Sequence, residues 1–307
     1  MTDVLVLRAL GMGDLLTAVP ALRGLRHAYP DARITLAAPA WLSDLVAEID
    51  AVDVLLPTEG LVPLSWADPP PRLAVNLHGK GPQSTEILAR VGAERLITHG
   101  TAAPWDEGQH EVVRWCRLLA HHGIEADPQD LDLPAPTDPG PAQGAIVVHP
   151  GASHAARRWP PERYREVVQA LSRAGAQVVV TGTSAEGPVA EAVAAGGARV
   201  LDIGLRELAA LVARARLVIC GDTGMAHLAT AYGTPSIVLF GPVPPRLWGP
   251  PPDRPQHRVL WSGWTGDTFA DRPDAGLLSI EVADVLAAAR GGEPCTGSES
   301  WARATSG

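Results

Sequence analysis

The chain has 307 residues, 46% of them apolar and 19% charged, with a net charge of −9. That length is enough for two globular domains of ordinary size, and the acidity excludes a nucleic-acid binder while leaving room for one phosphorylated small ligand in a local pocket. Lys80 is the single lysine, the three scattered cysteines (Cys116, Cys220, Cys295) have neither CxxC nor zinc-site spacing, and no apolar run approaches the roughly 20 residues of a membrane span.

The N-terminus "MTDVLVLRAL" enters a strand directly, without the basic and apolar regions of a cleavable leader. The expectation is a soluble, cytoplasmic protein for which peripheral membrane contact stays open. Strand-like and helix-like segments then alternate, the pattern of parallel α/β architecture. After "VLVLR" comes the turn "GMGD". Gly11 and Gly13 begin a GxGxxG fingerprint whose third position is Leu16, and no acidic residue ends the next strand, so a dinucleotide site is disfavoured. Asp14 is then either a helix cap or a functional carboxylate at a turn open to a ligand. Pro20 must kink the helix "DLLTAVPALRGLRHAYP" or delay its regular part. "ARITLAAP", "VDVLLP", "RLAVNLHG" and "RLITHG" read as further strands, and "HHG" at 121 as a helix end.

The stretch "DLPAPTDPGPAQG" is proline- and glycine-rich without periodicity, as an interdomain linker would be. It divides the chain into an N-terminal domain 1–134, a linker 135–144, a C-terminal domain 145–290 whose last helix, "SIEVADVLAAAR", can pack back on the first domain, and a tail 291–307 of disorder-like composition. Beyond the linker six strands follow: "AIVVHPG", "AQVVVTGT", "ARVLDIG", "RLVICGDTG", "SIVLFGP" and "HRVLWSG", with "PVPPRLWGPPPDRP" as an extended loop.

Three turns of this half could carry chemistry. In "VVHPGASHAARRWPPERY", Arg157 and Arg158 precede a helix that opens with Pro161. They form either an anion site beside a positive helix end or a solvated basic pair. In "VVVTGTSAEGPVAEAVAA", Glu186 is either a ribose acceptor or a first-turn residue favouring the helix dipole. In "CGDTGMAHLATAYGTPSIVLFGP", Asp222 or Thr223 can cap a helix whose first N–H groups, at Thr223, Gly224 and Met225, suit a diphosphate. His227 lies one turn in, and Gly233 with Pro235 ends the helix. No P-loop, GxSxG elbow or HExxH occurs.

With these residues on the page, the chain resembles glycosyltransferase family 9, the ADP-heptose-dependent heptosyltransferases. The matching segments run from "GMGDLLTAVPALRGLR" through "VVHPGAS…RRWPPERY" to "LRELAALVARARLVICGDTGMAHLATAYGTPSIVLFGP". The resemblance implies a GT-B fold of two Rossmann-like parallel-sheet domains facing across a cleft. It also implies inverting transfer of a sugar, heptose from ADP-heptose, to an acceptor hydroxyl, without metal or cofactor.

By the same resemblance Asp14, in the loop with Gly13, is the catalytic base. Arg158, with Arg157 beside it, meets the donor diphosphate; Thr223, Gly224 and Met225 hold phosphate, Asp222 the sugar hydroxyls and Glu186 the ribose, with His227 near the donor. Domain closure would exclude water. The family's acceptors are acidic and lipid-linked, whereas the first domain offers His78 and Lys80 in "NLHGKGPQS" but no dense basic run. The acceptor can therefore be a cell-envelope glycan or a small natural-product intermediate. Two other functions remain open on the sequence: a non-catalytic nucleotide-sugar binder of this fold, and an NAD-linked oxidoreductase.

Overall fold

A computed structural model describes residues 3–291. The chain divides into two compact units, Met1–Leu133 and Pro134–Gly307. Cys295 and the expected tail beyond Gly291 lie outside the described residues.

The first unit contains β1 (Asp3–Leu7), α1 (Met12–Thr17), α2 (Val19–Ala28), β2 (Arg33–Ala38), α3 (Ser43–Val46), β3 (Val54–Pro57), β4 (Leu73–Asn76), α4 (Gln83–Ala89), β5 (Arg95–Ile97) and α5 (Glu111–Ala120). Its strands are parallel, in the order β3-β2-β1-β4-β5. The centre is β1, whose Val4, Leu5, Val6 and Leu7 are fully buried. A strand covered on both faces reads as an unbroken apolar run, which is why "VLVL" was legible. Pro20 acts by dividing its helix. The proline lacks an N–H to continue the ladder, so α1 stops at Thr17, Ala18 closes it by donating to Leu15 and Leu16, and α2 restarts with Pro20 in its first turn.

The second unit contains β6 (Ile146–His149), α6 (Pro161–Arg173), β7 (Val178–Thr181), α7 (Gly187–Ala194), β8 (Arg199–Leu201), α8 (Leu205–Ala213), β9 (Leu217–Gly221), α9 (Gly224–Ala231), β10 (Ser236–Leu239), α10 (Pro245–Trp248), β11 (His257–Leu260), α11 (Ala275–Leu278) and α12 (Val282–Ala289). The six strands are again parallel, ordered β11-β10-β9-β6-β7-β8. Trp159, Tyr164, Val167 and Val168 pack with Val148, Val180 and Ile219 into its core. Gly233 takes φ +63°, as the end of α9 requires.

One expectation is corrected in detail. The stretch expected as an extended loop after β10 contains the short helix α10, for which Pro245 sets the first φ. A second short helix, α11, forms because the Asp274 carboxylate accepts the Gly276 and Leu277 N–H groups. The last helix, α12, lies against α6, β10 and β11 of its own unit. The proline-rich stretch is held to the second unit: Arg214 donates to the Pro136 carbonyl at 2.5 Å and the Gly144 N–H to Arg214 O at 2.9 Å. No helix among the described residues is long and apolar enough to cross a membrane.

Candidate active site

In each sheet the first strand of the unit sits beside a strand added on its other side: β1 beside β4 in one, β6 beside β9 in the other. At such a point the chain leaves the two strands in opposite directions, opening a crevice at their carboxyl ends where ligands bind in doubly wound folds. Asp14, Gly13, His78 and Lys80 follow β1 and β4. Arg157, Arg158, Asp222, Thr223, Gly224 and Met225 follow β6 and β9. Sequence positions more than 60 residues apart are thus drawn to one edge in each unit.

In the first unit the turn after β1 is organised by Arg8, which is fully buried. Its Nε donates to the Asp14 carbonyl at 2.9 Å and its Nη1 to the Leu77 carbonyl after β4, tying the two turns together. Nη2 donates to Thr17 Oγ1 at 3.1 Å and to Glu111 Oε1 at 3.0 Å, and lies 3.5 Å from Asp14 Oδ1. Glu111 also accepts from Arg114 Nε at 3.1 Å and from Trp115 Nε1 at 2.9 Å. The Asp14 carboxylate accepts the Gly11 N–H at 3.2 Å, which caps α1, and its side chain stays 29% exposed. Asp14 thus caps the helix and keeps one side of its carboxylate open.

Burial pushes the Asp14 carboxyl above its ordinary value; Arg8 opposes this and the Glu111 charge adds to it. Glu111 moves the other way: burial would raise it, but the Arg8 and Arg114 cations hold it below the usual range. His78 is half-buried and its Nδ1 has no hydrogen-bond partner among the described residues. Burial and the Arg8 charge push its pKa down to about 4, so the imidazole is neutral at pH 7. Lys80 is exposed and pairs with Glu107 at 3.1 Å.

In the second unit the turn after β6 runs as residues 151–158 across the ends of neighbouring strands. A Cβ at Gly221 would stand 3.2 Å from the Arg157 carbonyl, and one at Gly241 3.3 Å from the Ala156 carbonyl. The two arginines divide their work. Arg157 Nη1 lies 3.5 Å from Asp222 Oδ2, whereas Arg158 Nε donates to the Ala152 carbonyl at 2.9 Å and the residue remains exposed.

Asp222 is buried, and burial raises its pKa to about 6 against the opposing Arg157 charge. Asp222 Oδ2, Thr223 Oγ1 and Arg157 Nε are buried without hydrogen-bond partners among the described residues. Thr223 is the residue before α9, with extended backbone and no side-chain cap bond. The N–H groups of Gly224 and Met225 therefore start the helix facing outward along its axis, as an anion site requires. The Met225 side chain is buried, so its contribution is backbone only. His227 stacks edge-on with Trp248 of α10, their centroids 6.0 Å apart.

Glu186 is half-buried and serves as a cap: Oε2 accepts the Thr183 N–H at 2.8 Å and the Thr183 hydroxyl at 2.9 Å. Its carboxylate also occupies the space over Gly151, where a Cβ would come within 2.1 Å of Oε1. Gly151 thus leaves the room that this carboxylate fills, and the turns after β6 and β7 meet at Glu186. The sequence reading does not single out Arg8 or Glu111. A charge ending an otherwise apolar strand was the available signal for Arg8. Nothing local marks Glu111, which lies 103 positions away.

The family model described as glycosyltransferase family 9 (heptosyltransferase) matches residues 95–266. Among individual relatives, the lipopolysaccharide heptosyltransferase 1 of Pseudomonas aeruginosa is 28% identical over 222 residues, covering 66% of this chain and 58% of the relative. That of Escherichia coli K12 is 24% identical over 289 residues, covering 80% of this chain and 90% of the relative. Among solved structures, ADP-heptose lps heptosyltransferase II of E. coli superposes with a TM-score of 0.75 at 21% identity, over 94% of this chain and 98% of that one. The family 9 glycosyl transferase of Veillonella parvula gives a TM-score of 0.77 at 20% identity, over 94% and 96%. These likenesses fix the fold class as GT-B. With the family model spanning more than half of the residues, the chain belongs to glycosyltransferase family 9.

Proposed function

We propose that the protein transfers heptose from ADP-heptose to an acceptor hydroxyl with inversion and without a metal ion. The observation that carries this reading is the second unit's edge: a buried Asp222–Thr223 turn in which Thr223 Oγ1 makes no hydrogen bond and Asp222 has only a 3.5 Å ion pair with Arg157, beside an uncapped helix start and the exposed Arg158. Buried polar groups are ordinarily satisfied. A diphosphate supplies acceptors to the Gly224 and Met225 N–H groups, to Thr223 and to the guanidinium of Arg157, while sugar hydroxyls donate to Asp222. Arg158 is the exposed cation that can follow the diphosphate as it leaves. Charge develops on that leaving group in the transition state, so pre-placed donors at this turn lower the barrier.

Asp14 removes the acceptor hydroxyl proton as the oxygen attacks the anomeric carbon; a single displacement inverts it. A base whose pKa is raised toward neutrality is better matched to that task than an ordinary aspartate. Glu186 retains one carboxylate oxygen, Oε1, outside its cap bonds for a ribose hydroxyl. His78 and Lys80 face the acceptor, His78 as a neutral hydrogen-bonding ring. Heptose transfer is supported by the relatives named above, of which the solved E. coli structure is described as an ADP-heptose lps heptosyltransferase. The acceptor is a cell-envelope glycan or a soluble small molecule.

The test is turnover of ADP-heptose with chelator present, with lipid-linked and soluble acceptors, by wild type and Asp14→Asn. Loss of transfer with donor binding retained is expected. Donor binding without any turnover in the wild type would favour the non-catalytic nucleotide-sugar binder instead.

A further inference from the structure

Asp14 sits in an electrostatic arrangement that a capping aspartate does not need. One buried guanidinium, Arg8, stands between two carboxylates and is closer to Glu111 (3.0 Å) than to Asp14 (3.5 Å). Every group around Glu111 strengthens that preference. Arg114 Nε and Trp115 Nε1 donate to it, and Arg114 is itself fixed by the Asp106 carbonyl at 2.6 Å and the Gln109 carbonyl at 3.0 Å. The Arg8 guanidinium further lies 4.8 Å from the centre of the Trp115 ring. Glu111 is thus held on three sides, with only 8% of its side chain exposed, while the Asp14 carboxylate keeps an open side.

We propose that Glu111 is a positioning residue for the reaction: by taking the larger share of the Arg8 charge, it leaves the Asp14 carboxylate basic enough to accept the acceptor's proton. The inference rests on the reading of Asp14 as the base. Were Glu111 neutral, Arg8 would have Asp14 as its one anionic partner, and a cation at that distance lowers a carboxyl pKa by about one unit or more. Arg8 would then hold Asp14 in place but make it a poorer base. With Glu111 charged, Arg8 still fixes the Asp14 backbone through its Nε and the β4 turn through its Nη1, so geometry and basicity are set by different arms of one side chain.

Four further titratable groups face this arrangement: His78, Lys80, Arg114 and His99, the last held below its ordinary value chiefly by burial, with the Arg114 charge lowering it and the Glu111 charge raising it. His78, after β4, is neutral at pH 7. Lys80 is engaged with Glu107 at the surface, and Arg114 faces Glu111.

The experiment is a carboxyl-carbon NMR titration of the full-length protein labelled at aspartate and glutamate side chains, with Asp14 assigned by Asp14→Asn. In the wild type Asp14 titrates above an ordinary aspartate and Glu111 below an ordinary glutamate. Glu111→Gln lowers the Asp14 midpoint by about one unit, and Glu111→Asp, which keeps the charge, restores it. An Asp14 midpoint that stays put or rises in Glu111→Gln overturns the proposal. So does a wild-type Asp14 midpoint at or below the ordinary value, which decides the matter even if Glu111→Gln does not fold. The base reading fails separately, if Asp14→Asn keeps transferring heptose while the titrations behave as described.

Discussion

The two sheets carry the same construction and use it differently. At the β1–β4 edge the charged groups are arranged around one another: Arg8 touches Asp14, Thr17, Leu77 and Glu111, and Glu111 touches Arg114 and Trp115. At the β6–β9 edge the groups are held more loosely: Thr223 Oγ1 and Arg157 Nε are buried without hydrogen-bond partners among the described residues, and Asp222 Oδ2 has only the 3.5 Å ion pair with Arg157. The Arg8–Glu111 network fixes the Asp14 turn in place before any substrate arrives, which suits a proton acceptor, although His78 Nδ1 on the same edge makes no hydrogen bond among the described residues. A cradle with unsatisfied atoms is completed by its ligand, which suits a binding site. The lesson is that two edges with one topology can be told apart by where their polar groups end.

The largest expected effect breaks the first edge. Asp14→Asn keeps the Gly11 cap acceptor but removes the base, and transfer should fall by about 10² to 10⁴, measured as kcat with donor affinity unchanged. Loss of donor affinity to the same extent would mean that Asp14 serves binding.

The next prediction sharpens the contrast through stability. Asp222 has its folded pKa raised to about 6 from an ordinary 3.8. The folded state therefore binds this proton more tightly than the unfolded state, and the stability that follows is present at low pH and lost as pH rises from about 4 to about 6. A shift of this size corresponds to roughly 3 kcal/mol. Asp222→Asn should raise Tm by several degrees at pH 8, with little change at pH 4, while weakening nucleotide-sugar binding. A Tm lowered by the substitution at pH 8 would show that the Arg157 pair outweighs the burial of charge.

Gly151→Ala comes third. The new methyl group forces the Glu186 carboxylate aside and breaks its bonds to Thr183, for about 1 kcal/mol in the cap. Thermal unfolding should record that loss, and donor affinity should fall further if Glu186 meets the ribose. The smallest effect belongs to Lys80→Ala. An exposed pair contributes roughly 0–1 kcal/mol, so Tm should barely move. A rise in acceptor KM without a change in kcat would mark Lys80 as an acceptor contact.

Much of the fold was legible. The eleven strands among the described residues stand where apolar runs predicted them; central strands such as β1 and β9 are covered on both faces and leave that mark in the chain, while the edge strands β3, β5 and β8 are short and partly exposed. Pro20 and Gly233 marked their helix boundaries for local steric reasons. The four-residue helices α3, α10 and α11 were not foreseen, since four residues hold about one turn and show no periodicity. At the site, the turns bearing Asp14, Arg157 and Asp222 were visible as glycine-containing strand ends. Glu111 was not, because its partnership with Arg8 exists only after β1 and α5 have been brought together. That Arg157 rather than Arg158 pairs with Asp222 was also hidden, as adjacent residues differ only in which way the backbone turns them.

The most direct test of the central claim, that the β6–β9 edge is a cradle for an ADP-linked sugar, is thermal unfolding with ADP, GDP, UDP and NAD in the presence of chelator, for wild type and Arg157→Met. At about 100 times its Kd a nucleotide adds roughly 2.7 kcal/mol, enough for a shift of several degrees. The account predicts such a shift with ADP and a much smaller one in Arg157→Met. No shift with ADP, or an equal shift in the variant, would contradict it.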